Sequence, residues 1–149
     1  PLAVSITILS LTYLLAKKVW GKDVVAIMMP NGLQADIQDS KDIAKQLNLS
    51  TLTVNIENMY NSLIDAIKPI EVTDKAKTNI PPRLRMTTLY AVAQSLGYRV
   101  IGTGNASEAY VGWCTKFGDT GCDLNPIAHL TKTKVVEIGK VLAKEPSLN

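Results

Sequence analysis

Apolar positions along the chain fall into short continuous runs separated by stretches with helical spacing. Leu2–Ile6 reads as a strand, and Leu11–Trp20 as a helix that stops at Gly21. Val24–Met29 is an unbroken apolar run closed by Pro30-Asn31-Gly32, which predicts a buried parallel strand emptying into a loop. Asp39–Leu47 puts Ile43, Ala44 and Leu47 on one helical face. Leu52–Ile56 reads as the third strand and Met59–Ile67 as the next helix. Pro81-Pro82 introduce an amphipathic helix over Arg83–Leu96, closed by Gly97. Tyr98–Thr103 reads as the fourth strand. Thr131 caps a last helix that runs to Ala143, with Val135, Ile138 and Leu142 inward. Strands alternating with helices predict the α/β class: a doubly wound parallel sheet flanked by helices, Rossmann-like.

One junction resists this pattern. Between the strand Leu2–Ile6 and the helix at Leu11 there is no glycine, proline, asparagine or aspartate, and only Ser5 and Thr7 favour a turn. A connection of this kind is commonly about 2–6 residues long and marked by such residues. Either the strand is misread or residues are missing there. The ending Ala143–Asn149 is equally abrupt as a helix exit.

Composition narrows the function classes. With 149 residues, 46% hydrophobic and 19% charged, the chain suits one globular domain with a real core. The formal charge of +3 is mild and the lysines are spread out, so nucleic acid is not an expected partner. No apolar run approaches the roughly 20 residues of a membrane span, and the N-terminus lacks the basic region and cleavage site of a signal peptide. No membrane association is expected. Cys114 and Cys122 form neither a zinc pattern nor a disulfide framework, which predicts a reducing, cytoplasmic setting.

Chemistry concentrates between Val100 and Asp123. The apolar run ending at Ile101 stops at Gly102-Thr103-Gly104-Asn105, and Ser107-Glu108 opens a short helix. A further loop carries Lys116, Asp119 and Asp123, with Gly118 and Gly121 between them. In open α/β sheets ligands bind outside the carboxyl ends of the strands, where Thr103, Glu108 and Lys116 fall. The Thr103 hydroxyl and neighbouring amides suit a phosphate, or Thr103 is a turn residue. Glu108 suits Mg²⁺, which takes one or two carboxylates plus phosphate oxygens, or simply favours a helix N-terminus. Arg83 and Arg85, two apart, point in different directions, so one can clamp an anion while the other is structural. Lys116 and Lys132 are either ligands or solvated lysines, and His129 reads as peripheral. Gly102-Thr103-Gly104 is no dinucleotide fingerprint, because Ser107 stands at the third glycine position, and no Walker A motif is present. Chemistry alone therefore reaches a phosphate- and metal-binding α/β domain.

The blocks Gly102–Glu108, Thr115-Lys116-Phe117-Gly118-Asp119 and Asp123-Leu124-Asn125-Pro126 resemble NAD synthetases of the ammonia-dependent type. Met29–Asp36 with Gln38-Asp39-Ser40, Asn79–Met86 and Leu130-Thr131-Lys132 agree in order and spacing, so the similarity covers nearly the whole chain. The resemblance implies one ATP-pyrophosphatase-type synthetase domain over residues 1–149. It implies amidation of nicotinic acid adenine dinucleotide by ammonia, through an adenylylated carboxylate, with release of AMP and pyrophosphate. ATP and Mg²⁺ would be required, and the enzyme would be a homodimer. By position, Arg83, Lys116 and Asp123 would contact the dinucleotide; Gln34, Thr103, Lys132 and Ser147 would contact ATP; and Glu108 would hold Mg²⁺. Asp119 would order its loop, and Trp113 would line the nicotinate pocket or belong to the core. The apolar face of Arg83–Leu96, with Leu89, Val92 and Ala93, would serve the dimer interface or the core.

The chain departs from the family at one place. The family's pyrophosphate loop, Ser-Gly-Gly-x-Asp-Ser after the first strand, is here Ser5-Ile6-Thr7-Ile8-Leu9-Ser10. Without glycine the backbone cannot approach a pyrophosphate closely. Either a loop is missing between Ile6 and Thr7, with a second near Glu145-Pro146, or the chain is a degenerate homologue that binds dinucleotide without catalysis. The absent turn favours the missing loop. Another amidating member of the superfamily is a third reading, against which the TKFGD block and Arg83 argue. With no glutaminase segment in these residues, free ammonia is the expected nitrogen source, unless the chain is a fragment of a longer glutamine-dependent enzyme.

Overall fold

Residues 2–33 and 37–142 are described by a computed structural model, with side chains from Leu11 onward. Helix α1 spans Leu2–Trp20 without a break, and Gly21 follows it at φ +60°. The strand expected at Leu2–Ile6 is therefore helix. The same shortage of turn residues that troubled the junction accounts for this, since nothing between Ser5 and Leu11 interrupts helical hydrogen bonding. Strand β1 (Val25–Met28) follows, then α2 (Ile37–Gln46) and β2 (Ser50–Thr53). The two strands pair in parallel, Val25 opposite Ser50 and Met28 opposite Thr53. Their hydrogen bonding continues past β2, with Val54 N–H donating to Met28 O and Ile56 N–H to Pro30 O. Strand-like pairing thus reaches the fully buried Ile56, where the sequence placed the strand's end.

Helix α3 covers Glu57–Ala66, two residues earlier than its apolar spacing suggested. Helix α4 is Asp74–Leu96 and contains Pro81 and Pro82 instead of starting behind them. Its start is set at Thr73, whose hydroxyl accepts the amide of Ala76, a local cap that outweighs the proline signal. Gly97, at φ +70°, ends it in the left-handed conformation that glycine adopts without a Cβ penalty. Tyr98–Thr103 is extended but is not a full strand: it forms a single parallel bridge, Ile101 with Leu124. Gly102 N–H donates to Leu124 O at 2.7 Å, which fixes this segment beside the next loop. Helices α5 (Ala106–Val111) and α6 (Lys132–Leu142) complete the chain. Among the described residues the sheet has two strands, parallel and flanked by helices, in the α/β class that the sequence predicts.

The core gathers where α1 crosses α6. Leu11, Ile127 and Val135 are fully or almost fully buried there, with Leu15, Leu130, Ile138 and Leu142 packed around them. A cavity of about 790 Å³ lies between α1, β1, α4 and the extended segment after Gly97, bounded by Tyr13, Ala16, Ile27, Val92 and Ile101. Leu89, Val92 and Ala93 line this cavity, Ala93 buried and the other two half-buried. Trp113, 76% exposed, is not part of the core. No described helix is long and apolar enough to cross a membrane.

Candidate active site

Asn105 begins the site because its side chain shapes the first loop. It caps α5 by accepting the Glu108 amide at 3.1 Å, and the Glu108 carboxylate accepts the Asn105 amide at 3.0 Å. This reciprocal capping box ties up one Glu108 oxygen and sets the loop Gly102–Asn105 at the end of the extended segment. Ser107 then reaches across to α6, its hydroxyl accepting the Lys132 amide at 3.0 Å, while Ala106 N–H donates to Leu130 O. The N-terminal turns of α5 and α6 are thereby fastened together. Thr103 and Lys132, expected to contact ATP, and Glu108, expected to hold Mg²⁺, belong to this one assembly.

A second assembly forms along α4. Asn79, Pro82, Arg83 and Met86 lie on one face of that helix, at the three- and four-residue spacing that stacks side chains. The loop Thr115–Gly121 lies against this face. The Thr115 hydroxyl donates to Asn79 Oδ1 at 2.9 Å, and Arg83 Nε donates to Lys116 O at 3.2 Å. A Cβ on Gly118 would stand 2.9 Å from Pro82 Cβ, and one on Gly121 would stand 2.6 Å from Met86 Cγ, so only glycine lets the loop approach so closely. Inside the loop, Asp119 accepts the Thr115 amide at 2.7 Å, which agrees with its expected ordering role. Phe117, at φ +58°, gives its amide to the Thr120 hydroxyl, and its ring lies 4.9 Å from the Lys116 ammonium. That distance is within cation–π range.

Arg83 and Lys116 are thus brought together, with the Arg83 guanidinium and the Lys116 ammonium both on the exposed side of the loop. Arg85 diverges, its Nε donating to Met29 O at the end of β1, so it is the structural arginine of the pair. Asp123 is tied into the fold: one oxygen accepts the Val100 amide at 2.8 Å and the other the Tyr90 hydroxyl at 3.3 Å. Desolvation, then the facing Asp123 carboxylate, pushes the Tyr90 hydroxyl above its ordinary range. Gln34 and Ser147 lie outside the described residues, and His129 is exposed. The wall of the interior cavity continues to Thr103 and Asp119, so it runs from the first assembly to the second. Sequence reasoning gave no role to Asn79, which it knew only as part of a matching block, nor to Ser107 as a brace between helices. The spacing of Asn79, Pro82, Arg83 and Met86 was a usable signal for the first. Nothing local announces the second, because Ser107 and Lys132 are 25 residues apart.

For Mg²⁺, the donor set fits in a limited way. Glu108 offers one carboxylate next to a loop suited to phosphate, and a nucleotide would supply the remaining oxygens. No cluster of three or more acidic, histidine or cysteine ligands exists among the described residues.

Cys122 packs under the Gly102 loop, and burial followed by the Asp123 carboxylate pushes its thiol up, against a smaller lowering by the Gly102 backbone. A raised folded-state value means stabilisation that is full below the unfolded thiol's titration and lost as pH rises through the folded one. Iodoacetamide at pH 8 is therefore expected to alkylate the exposed Cys114 well before Cys122, read by peptide mass spectrometry. Equal rates would contradict the shielding of Cys122.

A parallel sheet flanked by helices, with one loop braced between α5 and α6 and a second held on α4, is the architecture of an α/β domain. The chain belongs to the NAD synthase family, whose profile matches residues 9–148. It is 42% identical to the NH(3)-dependent NAD(+) synthetase of Carboxydothermus hydrogenoformans, over 89% of this chain and 59% of that protein. Against the synthetase of the same name from Pyrococcus horikoshii it is 38% identical, over 89% of this chain and 54% of the relative. The fold superposes on an NH3-dependent NAD synthetase from Campylobacter jejuni with a TM-score of 0.86 at 29% identity, covering 95% of this chain and 62% of that one. An NMN synthetase from Francisella tularensis gives the same TM-score of 0.86 at 34% identity, with 95% and 60% covered. The chain thus spans little more than half the length of the curated relatives it matches. The matched range begins at Leu9, so Ser5–Ile8, where the expected glycines are replaced, lies before it.

Proposed function

We propose that this chain provides the synthetase site for ATP-dependent amidation of nicotinic acid adenine dinucleotide by ammonia, yielding NAD, AMP and pyrophosphate. The observation that carries this reading is the hydrogen bond from Arg83 Nε to the Lys116 carbonyl, which holds the Lys116 loop on α4 in a chain that matches the family from Leu9 onward. Arg83 and Lys116 bind the anionic groups of the dinucleotide, and Asp123, oriented by its bonds to Val100 and Tyr90, is a further contact to it. Thr103 and Lys132 attend the ATP, with Gln34 and Ser147 in the same set. Mg²⁺, when bound at Glu108, supplies positive charge to the phosphates.

In the first step an oxygen of the nicotinate carboxylate attacks the α-phosphorus. The bond to pyrophosphate breaks, leaving an acyl adenylate. Ammonia then attacks the carbonyl carbon to form the C–N bond and gives up a proton to solvent, while the acyl C–O bond breaks and AMP departs with its oxygen and electron pair. The protein's contribution is to hold two nucleotides in line and to place cations where charge gathers. The reading includes a homodimer working in the cytoplasm, in keeping with the free thiols of Cys114 and Cys122. The relatives compared are named as synthetases, which favours catalysis over a binder that has lost it.

A second reading rests on the Francisella neighbour: the substrate is the corresponding mononucleotide acid, and the product is NMN. The test is incubation with ATP, Mg²⁺, ammonium and either acid, following AMP and the amidated product. Equal amounts of NAD and AMP from the dinucleotide support the proposal, faster turnover of the mononucleotide supports the second reading, and no AMP from either overturns both. Glu108→Gln sharpens the metal assignment. Its amide oxygen still accepts the Asn105 amide, so stability should change by no more than about 0.5 kcal/mol. The Mg²⁺ concentration for half-maximal rate should rise about tenfold or more, about 1.4 kcal/mol in binding. An unchanged requirement would remove Glu108 from the metal site.

A further inference from the structure

We infer that Asn79 is a positioning residue for the paired cations: by holding Thr115 it sets where the loop presents Lys116 to the dinucleotide, an inference that rests on the function just proposed. Asn79 is suited to this because its amide is oriented from both ends. Its Nδ2 donates to Lys75 O at 2.8 Å within α4, which turns Oδ1 outward to accept the Thr115 hydroxyl at 2.9 Å. Thr115 is 9% exposed and Asn79 half-buried, so the bond is partly shielded from water. Thr115 is also the node of its loop. Its amide donates to Asp119, and its carbonyl accepts the Thr120 hydroxyl, which in turn accepts the Phe117 amide. Lys116 sits between the anchored Thr115 and the left-handed Phe117, with its own carbonyl held by Arg83. Gly118 against Pro82 and Gly121 against Met86 press the rest of the loop onto the same helix face. Asn79, through Thr115, therefore sets where the loop holds Lys116 on the helix face that carries Arg83.

Asn79→Ala and Thr115→Val each delete this hydrogen bond from one side, and Thr115→Ser retains it. The first readout is hydrogen exchange of the amides from Thr115 to Gly121 in the whole chain. The second is steady-state kinetics with the dinucleotide and ATP varied separately. Either deletion is expected to speed exchange across the loop and to raise KM for the dinucleotide about tenfold, the scale of one hydrogen bond. The turnover number and the KM for ATP should stay within about twofold, Thr115→Ser should restore the native values, and Asn79→Ala/Thr115→Val should be no worse than the poorer single variant. Unchanged exchange overturns the inference. So does an equal rise in both KM values, or two deletions whose effects multiply. Should Asn79→Ala fail to fold, Thr115→Val breaks the same bond without altering the helix. If the native chain turns over neither acid, the proposed function fails, yet loop exchange still decides whether Asn79 holds the loop.

Discussion

Arg83→Ala is expected to lower kcat/KM for nicotinic acid adenine dinucleotide by about 10²-fold or more, while KM for ATP stays within about twofold. The guanidinium would have two duties. Its Nε is spent on the Lys116 carbonyl at 3.2 Å, and its terminal nitrogens remain for an anion on the exposed side. Removing a charged donor from an anionic ligand typically costs about 2–5 kcal/mol, a factor of about 30 to several thousand. Part of that loss would come from Lys116, whose carbonyl is no longer held. Arg83→Lys should recover little, because an ammonium cannot satisfy a carbonyl and a planar anion through one rigid fork. Lys116→Ala should be milder and strongly salt-dependent, as befits an exposed point charge. Initial rates with each substrate varied in turn give the answer. A loss confined to ATP would move Arg83 to the other substrate and sink the assignment.

What the sequence made legible follows a simple division. Elements whose signals are local came through: the run at Val24–Met29 is β1, and Gly97 ends α4 as a left-handed glycine. Thr131 starts α6, its carbonyl accepting the Val135 amide. The divergence of Arg83 and Arg85 was also legible, because two residues apart on a helix cannot share a face. Contacts between distant segments were not legible. Asn79 meets Thr115 and Ser107 meets Lys132 only because α4 and α6 pack where they do. Local signals also misled where two competed, as at α4, where the Thr73 cap prevailed over the proline pair as the start of the helix.

The N-terminal segment is the instructive failure. An apolar run without turn residues is read equally well as strand or helix, and here it continues α1 backwards through Ser5–Ser10. A helix spends its amides on its own carbonyls, so this stretch forms no glycine cradle for a pyrophosphate. The consequence is visible in the interior. The edge of β1 away from β2, with Val25 and Ile27, borders the 790 Å³ cavity, and Ile101 borders it from the far side. Among the described residues the sheet has two strands, so the packing of α1 on α6 carries much of the burden that strand pairing would share.

That reliance makes Ile127→Ala the most damaging single change expected for stability. Ile127 is fully buried against Leu11 and Val135, where α1 and α6 meet. Replacing a buried isoleucine by alanine typically costs about 2–5 kcal/mol, from lost transfer energy plus the cavity left behind. Ile127 is 0% exposed and central to this cluster, so the upper half of that range is expected. For about 150 residues each kcal/mol lowers Tm by about 2–4 °C, which predicts a fall of roughly 7–20 °C. Ile127→Val, which removes one methylene, should cost only about 1 kcal/mol. The position also bears on the site. Ile127 anchors the segment whose Leu130 carbonyl accepts the Ala106 amide and whose Lys132 amide reaches Ser107. At temperatures well below its Tm, Ile127→Ala should therefore raise KM for ATP more than KM for the dinucleotide, because the loosened assembly holds Thr103, Glu108 and Lys132 and not Arg83 and Lys116. Thermal unfolding followed by circular dichroism, paired with kinetics at low temperature, separates the two effects. A Tm within about 2 °C of the native value would show that the core is not built on the α1–α6 contact.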